Sequence, residues 1–112
     1  MVDLDKIKRI HFIGVGGVGM SALAYVLIKR GYMVSGSDAK SSFMVTKLAK
    51  EGAIMFIGHA ACQVEGAEAV VVSSAIHQDN IELVEAKARQ IPVLHRSDVL
   101  AFLMNKHKGV AV

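Results

Sequence analysis

The feature that most constrains this chain is the run Gly14-Val15-Gly16-Gly17-Val18-Gly19. Four glycines so close together carry a heavy entropic cost inside a regular element, so the run reads as a turn. Its flanks fix what kind of turn it is. Arg9–Gly14 (Arg-Ile-His-Phe-Ile-Gly) is a short apolar stretch ending in glycine, the pattern of a buried strand. Val18–Arg30 carries Met20, Leu23, Ala24, Leu27 and Ile28 at three- and four-residue spacing, the pattern of a helix. Lys29 and Arg30 suit its last turn, and Gly31 stands where a C-terminal cap belongs. G-x-G-x-x-G between a strand and a helix is the context that gives the motif meaning. The first glycine permits the tight turn, the second removes a side chain that would block a phosphate, and the third lets the helix pack close to the sheet. Free N–H groups at the helix start then face the ligand, and the helix dipole favours negative charge. Asp38 closes the next strand, nineteen residues after Gly19, where a carboxylate can accept hydrogen bonds from ribose hydroxyls. Strand, loop, helix and acid together predict a nucleotide or dinucleotide phosphate site. The motif does not name the nucleotide, and an NAD site predicts the same residues.

The rest of the chain continues the alternation. Met33–Asp38 reads as a strand, Ser42–Glu51 as a helix closed by Gly52, and Ile54–Ile57 as a strand ended by Gly58. Ala69–Val72 is a continuous apolar run typical of a strand buried on both faces, and Ser73 and Ser74 follow it. Ile81–Gln90 is a helix with Asp79 or Asn80 as N-cap, Pro92–Leu94 a short strand, and Ser97–Lys106 a helix. Gly109–Val112 looks like the start of one more strand. Such alternation through short connections predicts an α/β fold: a Rossmann-like parallel sheet with helices on both faces, in a single domain. Ligands of such sheets bind at the C-terminal strand ends, where the strand order reverses. No internal repeat is present beyond this alternation.

Composition removes several classes. At 112 residues, 53% hydrophobic and 21% charged, the chain suits one packed core. A single cysteine, Cys62, excludes an internal disulfide and any thiol cluster for zinc or iron–sulfur, and fits a reducing, cytoplasmic setting. The net charge of +3 is spread in pairs (Lys8 with Arg9, Lys29 with Arg30, Lys106 with Lys108), and tryptophan is absent. That argues against nucleic acid as a partner. Nineteen residues between Arg9 and Lys29 lack Asp, Glu, Lys and Arg, a length that can span a bilayer. They include His11 and the glycine loop, and Asp3 and Asp5 precede them, so a buried strand, turn and helix explain them better than a membrane segment or a secretory signal.

Other polar residues divide more plainly. His59 follows Gly58 at a strand end and either lines the site or is a solvated loop histidine. His11 reads as a core or strand-face residue. His77, His95 and His107 show no metal-ligand spacing with each other or with Cys62, which has no base beside it in sequence. Met20, Met33, Met44, Met55 and Met104 read as core fillers. Glu65 and Glu68 flank Gly66 in a solvated turn. Glu82 and Glu85, with Lys87 and Arg89, read as an exposed helix face.

The segment His11-Phe12-Ile13-Gly14-Val15-Gly16-Gly17-Val18-Gly19-Met20-Ser21, followed by Val34-Ser35-Gly36-Ser37-Asp38, resembles the opening of the Mur ligases of peptidoglycan synthesis, and in particular those joining L-alanine to UDP-N-acetylmuramate. Val70–Ile76 with Asp79-Asn80 resembles a second block of that family. Ile91–Arg96, with Leu100 and Met104, resembles the helix leading out of its first domain. The resemblance covers almost the whole chain, and the doubled glycine followed by Gly-Met-Ser is more specific than a bare G-x-G-x-x-G. Ile81 stands where the family often has proline, a change that only removes a pre-set first helical turn.

The resemblance implies a three-domain ligase whose first domain binds the UDP-sugar, whose second binds ATP through a P-loop, and whose third helps hold the amino acid. ATP would phosphorylate the lactyl carboxylate of UDP-N-acetylmuramate, and the amine of L-alanine would displace the phosphate, with Mg2+ offsetting charge on the transferring group. No G-x-x-x-x-G-K-[ST] occurs in this sequence. The resemblance therefore implies that residues 1–108 are the UDP-sugar-binding domain and 109–112 the start of the strand leading to a missing ATP-binding central domain. Such a chain would bind UDP-N-acetylmuramate without ligating it, hold no cofactor, and have the central and C-terminal domains as partners. ATP and Mg2+ would belong to the whole enzyme. Gly16, Gly17, Val18 and Gly19 would cradle the diphosphate, with Met20 and Ser21 opening the helix beneath. Ser37 and Asp38 would contact uridine, His59 is a further candidate at the sugar nucleotide, and Ser73, Ser74, Ala75 and Ile76 would wall the crevice. The competing reading is an NAD(P)-binding module of an oxidoreductase or redox regulator, which needs room for a second nucleotide across the crevice. A third is an interaction domain that kept the fold and lost the ligand, against which the intact glycine loop and Asp38 argue.

Overall fold

Strands and helices alternate along the chain as the apolar spacing predicts. A computed structural model of the protein describes residues 4–111, with the backbone alone for Val18 and residues 105–111. The strands are β1 (Arg9–Ile13), β2 (Met33–Asp38), β3 (Ile54–Ile57), β4 (Ala69–Val72) and β5 (Val93–His95). The helices are α1 (Val18–Lys29), α2 (Phe43–Lys50), α3 (Ile81–Ala88) and α4 (Arg96–Ala111), and a 3-10 turn covers Ala61–Val64. All strand pairs are parallel, in the order β3-β2-β1-β4-β5. The chain runs outward from β1 through β2 to β3, then returns to place β4 on the other side of β1. That reversal opens a crevice at the C-terminal ends of β1 and β4.

Local chemistry sets the boundaries. Ser42 caps α2 by accepting from the Val45 N–H at 3.3 Å, and Asn80 caps α3 by accepting from Glu82 and Leu83. Gly31 ends α1 at φ +96°, its N–H bonded to the Ile28 carbonyl. β5 starts one residue later than the sequence predicts. Pro92 has no N–H, so it gives only its carbonyl to Val70 at 2.9 Å. The largest difference is at the end of the chain. Gly109–Ala111 continues α4 instead of opening a sixth strand, and Val112 lies outside the described residues. A strand needs a partner ladder, whereas helical hydrogen bonds close locally, so the segment extends the helix before it.

Period-two alternation divides the core. Ile10 and Phe12 of β1, with Ala69 and Val71 of β4, face α1, α2 and α4, packing on Leu23, Leu27, Leu48, Val99 and Leu103. Ile13 and Val70 face the other way, onto Val64, Leu83 and Ala86. Of the methionines read as core fillers, Met20 is buried, whereas Met33 and Met104 are more than half exposed. Met33 opens β2, and Met104 lines an open groove between α1 and α4 with Val26 and Leu100. Among the described residues no helix is long and apolar enough to cross a membrane, and the uncharged run from Ile10 to Ile28 is shared between β1, the glycine loop and α1.

One close approach ties the sheet to the loop above it. Gly36 sits mid-strand in β2, paired with Phe12 and Met55. A Cβ there would stand 2.8 Å from the Val15 Cβ, and Val15 is fully buried. Gly36→Ala should therefore destabilise the fold by about 1–3 kcal/mol through overpacking against the branched Val15 side chain. Adding Val15→Ala should recover part of that loss. Urea denaturation of the two variants checks both signs.

Candidate functional site

The glycine loop is held from below by the end of β2. Gly14 takes φ +78°, and the N–H groups of Gly14 and Val15 both donate to the Ser37 carbonyl, at 2.8 and 3.0 Å. The Gly16 N–H donates to Asp38 Oδ2 at 2.8 Å, and Asp38 Oδ1 accepts from the Lys40 N–H. A Cβ on Gly16 would lie 2.7 Å from that carboxylate oxygen. Glycine at 16 thus makes room for the Asp38 contact, a role beyond clearing a phosphate position. Gly19 also differs from expectation. It is exposed, and a Cβ there would meet the Arg96 guanidinium at 3.4 Å, not the sheet.

Above the loop, α1 begins without a side-chain cap. Gly17 is its N-cap with φ −64° and ψ 150°, and the first turn holds no acidic residue. The leading N–H groups of α1 are thus available to an external acceptor, with the helix dipole behind them. Across the strand-order reversal, the segment after β4 closes the crevice. Ile76 reaches back to Gly14, with Cδ1 2.8 Å from where a Cβ would stand. Gly17, Gly19, Met20, Ser73, Ser74, Ala75 and Arg96 line an open cleft of about 390 Å³. This combination of helix terminus, glycine backbone and small polar side chains suits a phosphorylated ligand.

The cleft thus gathers Gly17, Gly19, Met20, Ser73, Ser74 and Ala75 of the predicted set, with Gly16 and Ile76 behind them and the Val18 backbone at the start of α1. Three predicted residues point elsewhere, among them His59, whose Nδ1 is turned to Glu82. Ser21 is buried within α1, and Ser37 is buried with its hydroxyl turned under the sheet. Asp38 is half-buried at the loop, where its carboxylate is already hydrogen-bonded.

The larger departure from expectation is Glu82. Read as part of an exposed face, it is fully buried. Helical geometry explains this: it follows the Asn80 cap directly and shares a side of α3 with Leu83 and Ala86, both buried. Its carboxylate collects partners from four segments. Oε1 accepts from His11 Nε2 at 2.5 Å and from the Ser37 hydroxyl at 2.9 Å. Oε2 accepts from His59 Nδ1 at 2.9 Å and from the Ala60 N–H at 3.3 Å. Gln63, with its amide turned to satisfy both ends, donates to Oε2 as well. A carboxylate only accepts, so protons sit on His11 Nε2 and His59 Nδ1, and His11 Nδ1 is hydrogen-bonded to the Ser35 hydroxyl, 2.7 Å away. His59 also donates to the Ser37 oxygen at 3.0 Å. It is three-quarters buried, so it is no free loop histidine, and among the described residues its Nε2 bonds to nothing. Burial pushes the Glu82 carboxyl up, but the bonds from His11, Ser37 and His59 together hold it below the ordinary carboxylate range.

The remaining polar residues behave as surface groups. Glu68 is exposed but accepts the N–H groups of Lys8 and Arg9 at 2.9 and 3.0 Å, fixing the start of β1. Glu85 pairs with Arg89 one helical turn away, and Cys62 is exposed. No group of three or more metal-ligating side chains occurs among the described residues.

Fold and cleft define a Rossmann-like α/β domain with an open crevice at the switch point. Residues 9–108 match the Mur ligase family, catalytic domain, and the chain belongs to that family. It is 49% identical over 112 residues to UDP-N-acetylmuramate–L-alanine ligase of Caldanaerobacter subterraneus, covering 99% of this chain and 24% of that protein. It is 52% identical over 107 residues to the ligase of the same name from Geobacter sp. strain M21, covering 96% and 23%. Among solved structures, the UDP-N-acetylmuramate–alanine ligase of Thermotoga maritima superposes with TM-score 0.85 at 31% identity, over 89% of this chain and 23% of that one. The chain thus spans about a quarter of the length of these relatives.

Glu82→Ala should destabilise the domain by about 3 kcal/mol, because it strands two histidines at the sheet face. A carboxyl held low stabilises the fold above its unfolded value near 4.5 and loses that contribution as pH falls below it. Stability measured by denaturation between pH 7 and 3 should therefore fall less steeply in Glu82→Gln than in the unmodified chain.

Proposed function

We propose that this chain is the UDP-N-acetylmuramate-binding part of an ATP-dependent ligase that adds L-alanine to that substrate. The observation that carries the reading is the uncapped start of α1 facing the Ser73–Ile76 segment across the switch-point crevice, in a member of the Mur ligase family. The first N–H groups of α1 donate to the diphosphate, which lies against the bare Cα of Gly17. Gly16 acts one step back, keeping the loop in shape through Asp38. Asp38 retains lone pairs for a ribose hydroxyl. His59, oriented by Glu82, offers Nε2 to the uridine side. Ser74 and Ala75 wall the far edge.

The ligation chemistry falls outside these residues. ATP and Mg2+ belong to the central domain of the full protein, which together with the C-terminal domain is the partner of this one. The isolated chain binds and positions substrate and does not turn it over. A reducing cytoplasm suits its exposed lone cysteine and a nucleotide-sugar substrate. The NAD(P) reading draws on the fold alone. A Bacillus halodurans protein described as an NAD-dependent epimerase/dehydratase shares the architecture at TM-score 0.56 and 18% identity, so architecture does not choose between the ligands.

Calorimetric titration with UDP-N-acetylmuramate and with NAD separates the two. Heat with the UDP-sugar alone is expected, and heat with NAD alone would overturn the proposal. Gly17→Val sharpens the test. The φ of Gly17 is open to any residue, and the nearest atom to an added Cβ is 3.7 Å away, so the variant should melt with the unmodified chain. Its branched side chain should fill the diphosphate position and abolish binding.

A further inference from the structure

Arg96 carries no role in the glycine motif, yet the sheet register brings it to the cleft. His95 of β5 pairs with Val72 of β4, so Arg96 and Ser73 are the next residues of two neighbouring strands. Both emerge at the C-terminal edge of the sheet, beside the start of α1. There the Arg96 side chain lies across Gly19, with Nη1 3.4 Å and Cδ 3.7 Å from where a Cβ would stand. The third glycine of the motif leaves room for this cation.

Electrostatically the position is a poor one for an unaccompanied arginine. Arg96 is the first residue of α4 and lies over the first turn of α1, so it faces the positive ends of two helix dipoles. The first turn of α1 has no acidic residue, and the Asp98 carboxylate in the first turn of α4 caps that helix, its Oδ2 accepting the His95 N–H at 2.9 Å, and makes no ion pair with Arg96. The other carboxylate at the crevice, Asp38, is bonded to the loop backbone. Among the described residues no acid pairs with Arg96, which is exposed and the one cation lining the cleft. An anion resolves the conflict. The α1 N–H groups supply neutral donors, and a guanidinium supplies the full charge and two parallel donors that match a phosphate edge.

We infer that Arg96 is a substrate-binding residue that grips the diphosphate of the UDP-sugar from the β5 side, opposite the glycine backbone. This rests on the function proposed above and adds its charged contact. Gly19 and Arg96 then form one unit: the absent side chain clears the path along which the guanidinium reaches the ligand.

The test is titration of this chain, unmodified and as Arg96→Gln and Arg96→Lys, with UDP-N-acetylmuramate at about 50 and 200 mM salt. Arg96→Gln should weaken binding about 10- to 100-fold and flatten its salt dependence, with an unchanged melting temperature because the side chain is exposed. Arg96→Lys should keep the salt dependence and recover only part of the affinity, since an ammonium cannot bond in parallel. Arg96→Gln binding as tightly as the unmodified chain, with the same salt dependence, would overturn the inference and leave the function reading intact. An unmodified chain that binds no UDP-sugar would overturn that reading, and this inference with it.

Discussion

Three consecutive residues of β2 hold the glycine loop, and the site depends on that grip. Gly36 leaves the space into which Val15 packs, the Ser37 carbonyl takes two loop N–H groups, and the Asp38 carboxylate takes a third. With its own first half bonded downward, the loop delivers α1 at a fixed angle with its leading N–H groups unspent. A flexible glycine turn would lose entropy on meeting a ligand; this one is ordered beforehand, so less of the binding energy goes into shaping it.

Beneath β2 lies a charged centre where a sheet of this kind normally packs hydrocarbon. Glu82 joins β1 through His11, β2 through Ser37, and the segment after β3 through His59 and Ala60. A buried carboxylate is costly to desolvate and is seldom a source of stability against an apolar replacement. Its benefit here is positional. It fixes the start of α3, the end of β2 and the tautomer of His59 with one group, and the end of β2 in turn carries the glycine loop through Ser37 and Asp38. The same group links the acid stability of the domain to the geometry of its site.

Much of this was legible in the sequence because it depends on local spacing. Strand and helix periods placed eight of the elements within a residue or two, α4 running five residues past its predicted end, and the strand–glycine–helix context located the crevice. What was not legible depends on contacts far apart in sequence. Glu82 looks like surface beside Lys87 and Arg89, and only the packing of α3 turns it inward against His11, seventy-one positions away. The wheel position it shares with Leu83 and Ala86 was the available signal. Arg96 could be read as an ordinary helix start; its signal was an arginine at the wrong end of a helix dipole. The glycines carry the clearest lesson. Gly16 and Gly19 matched the motif by position, but each gives way to a side chain, Asp38 and Arg96, that the motif does not contain. The last predicted strand failed for a different reason, since residues 109–111 close helical hydrogen bonds locally as the end of α4.

The central claim is that the start of α1 and the segment after β4 form one binding surface for a UDP-sugar. Amide chemical-shift mapping of the 15N-labelled chain with UDP-N-acetylmuramate tests it most directly. The account predicts the largest shifts at Gly16–Ser21 and Ser73–Ile76, with smaller ones at Asp38 and His59. Shifts confined to another face of the domain, with the glycine-loop amides unmoved, would contradict it.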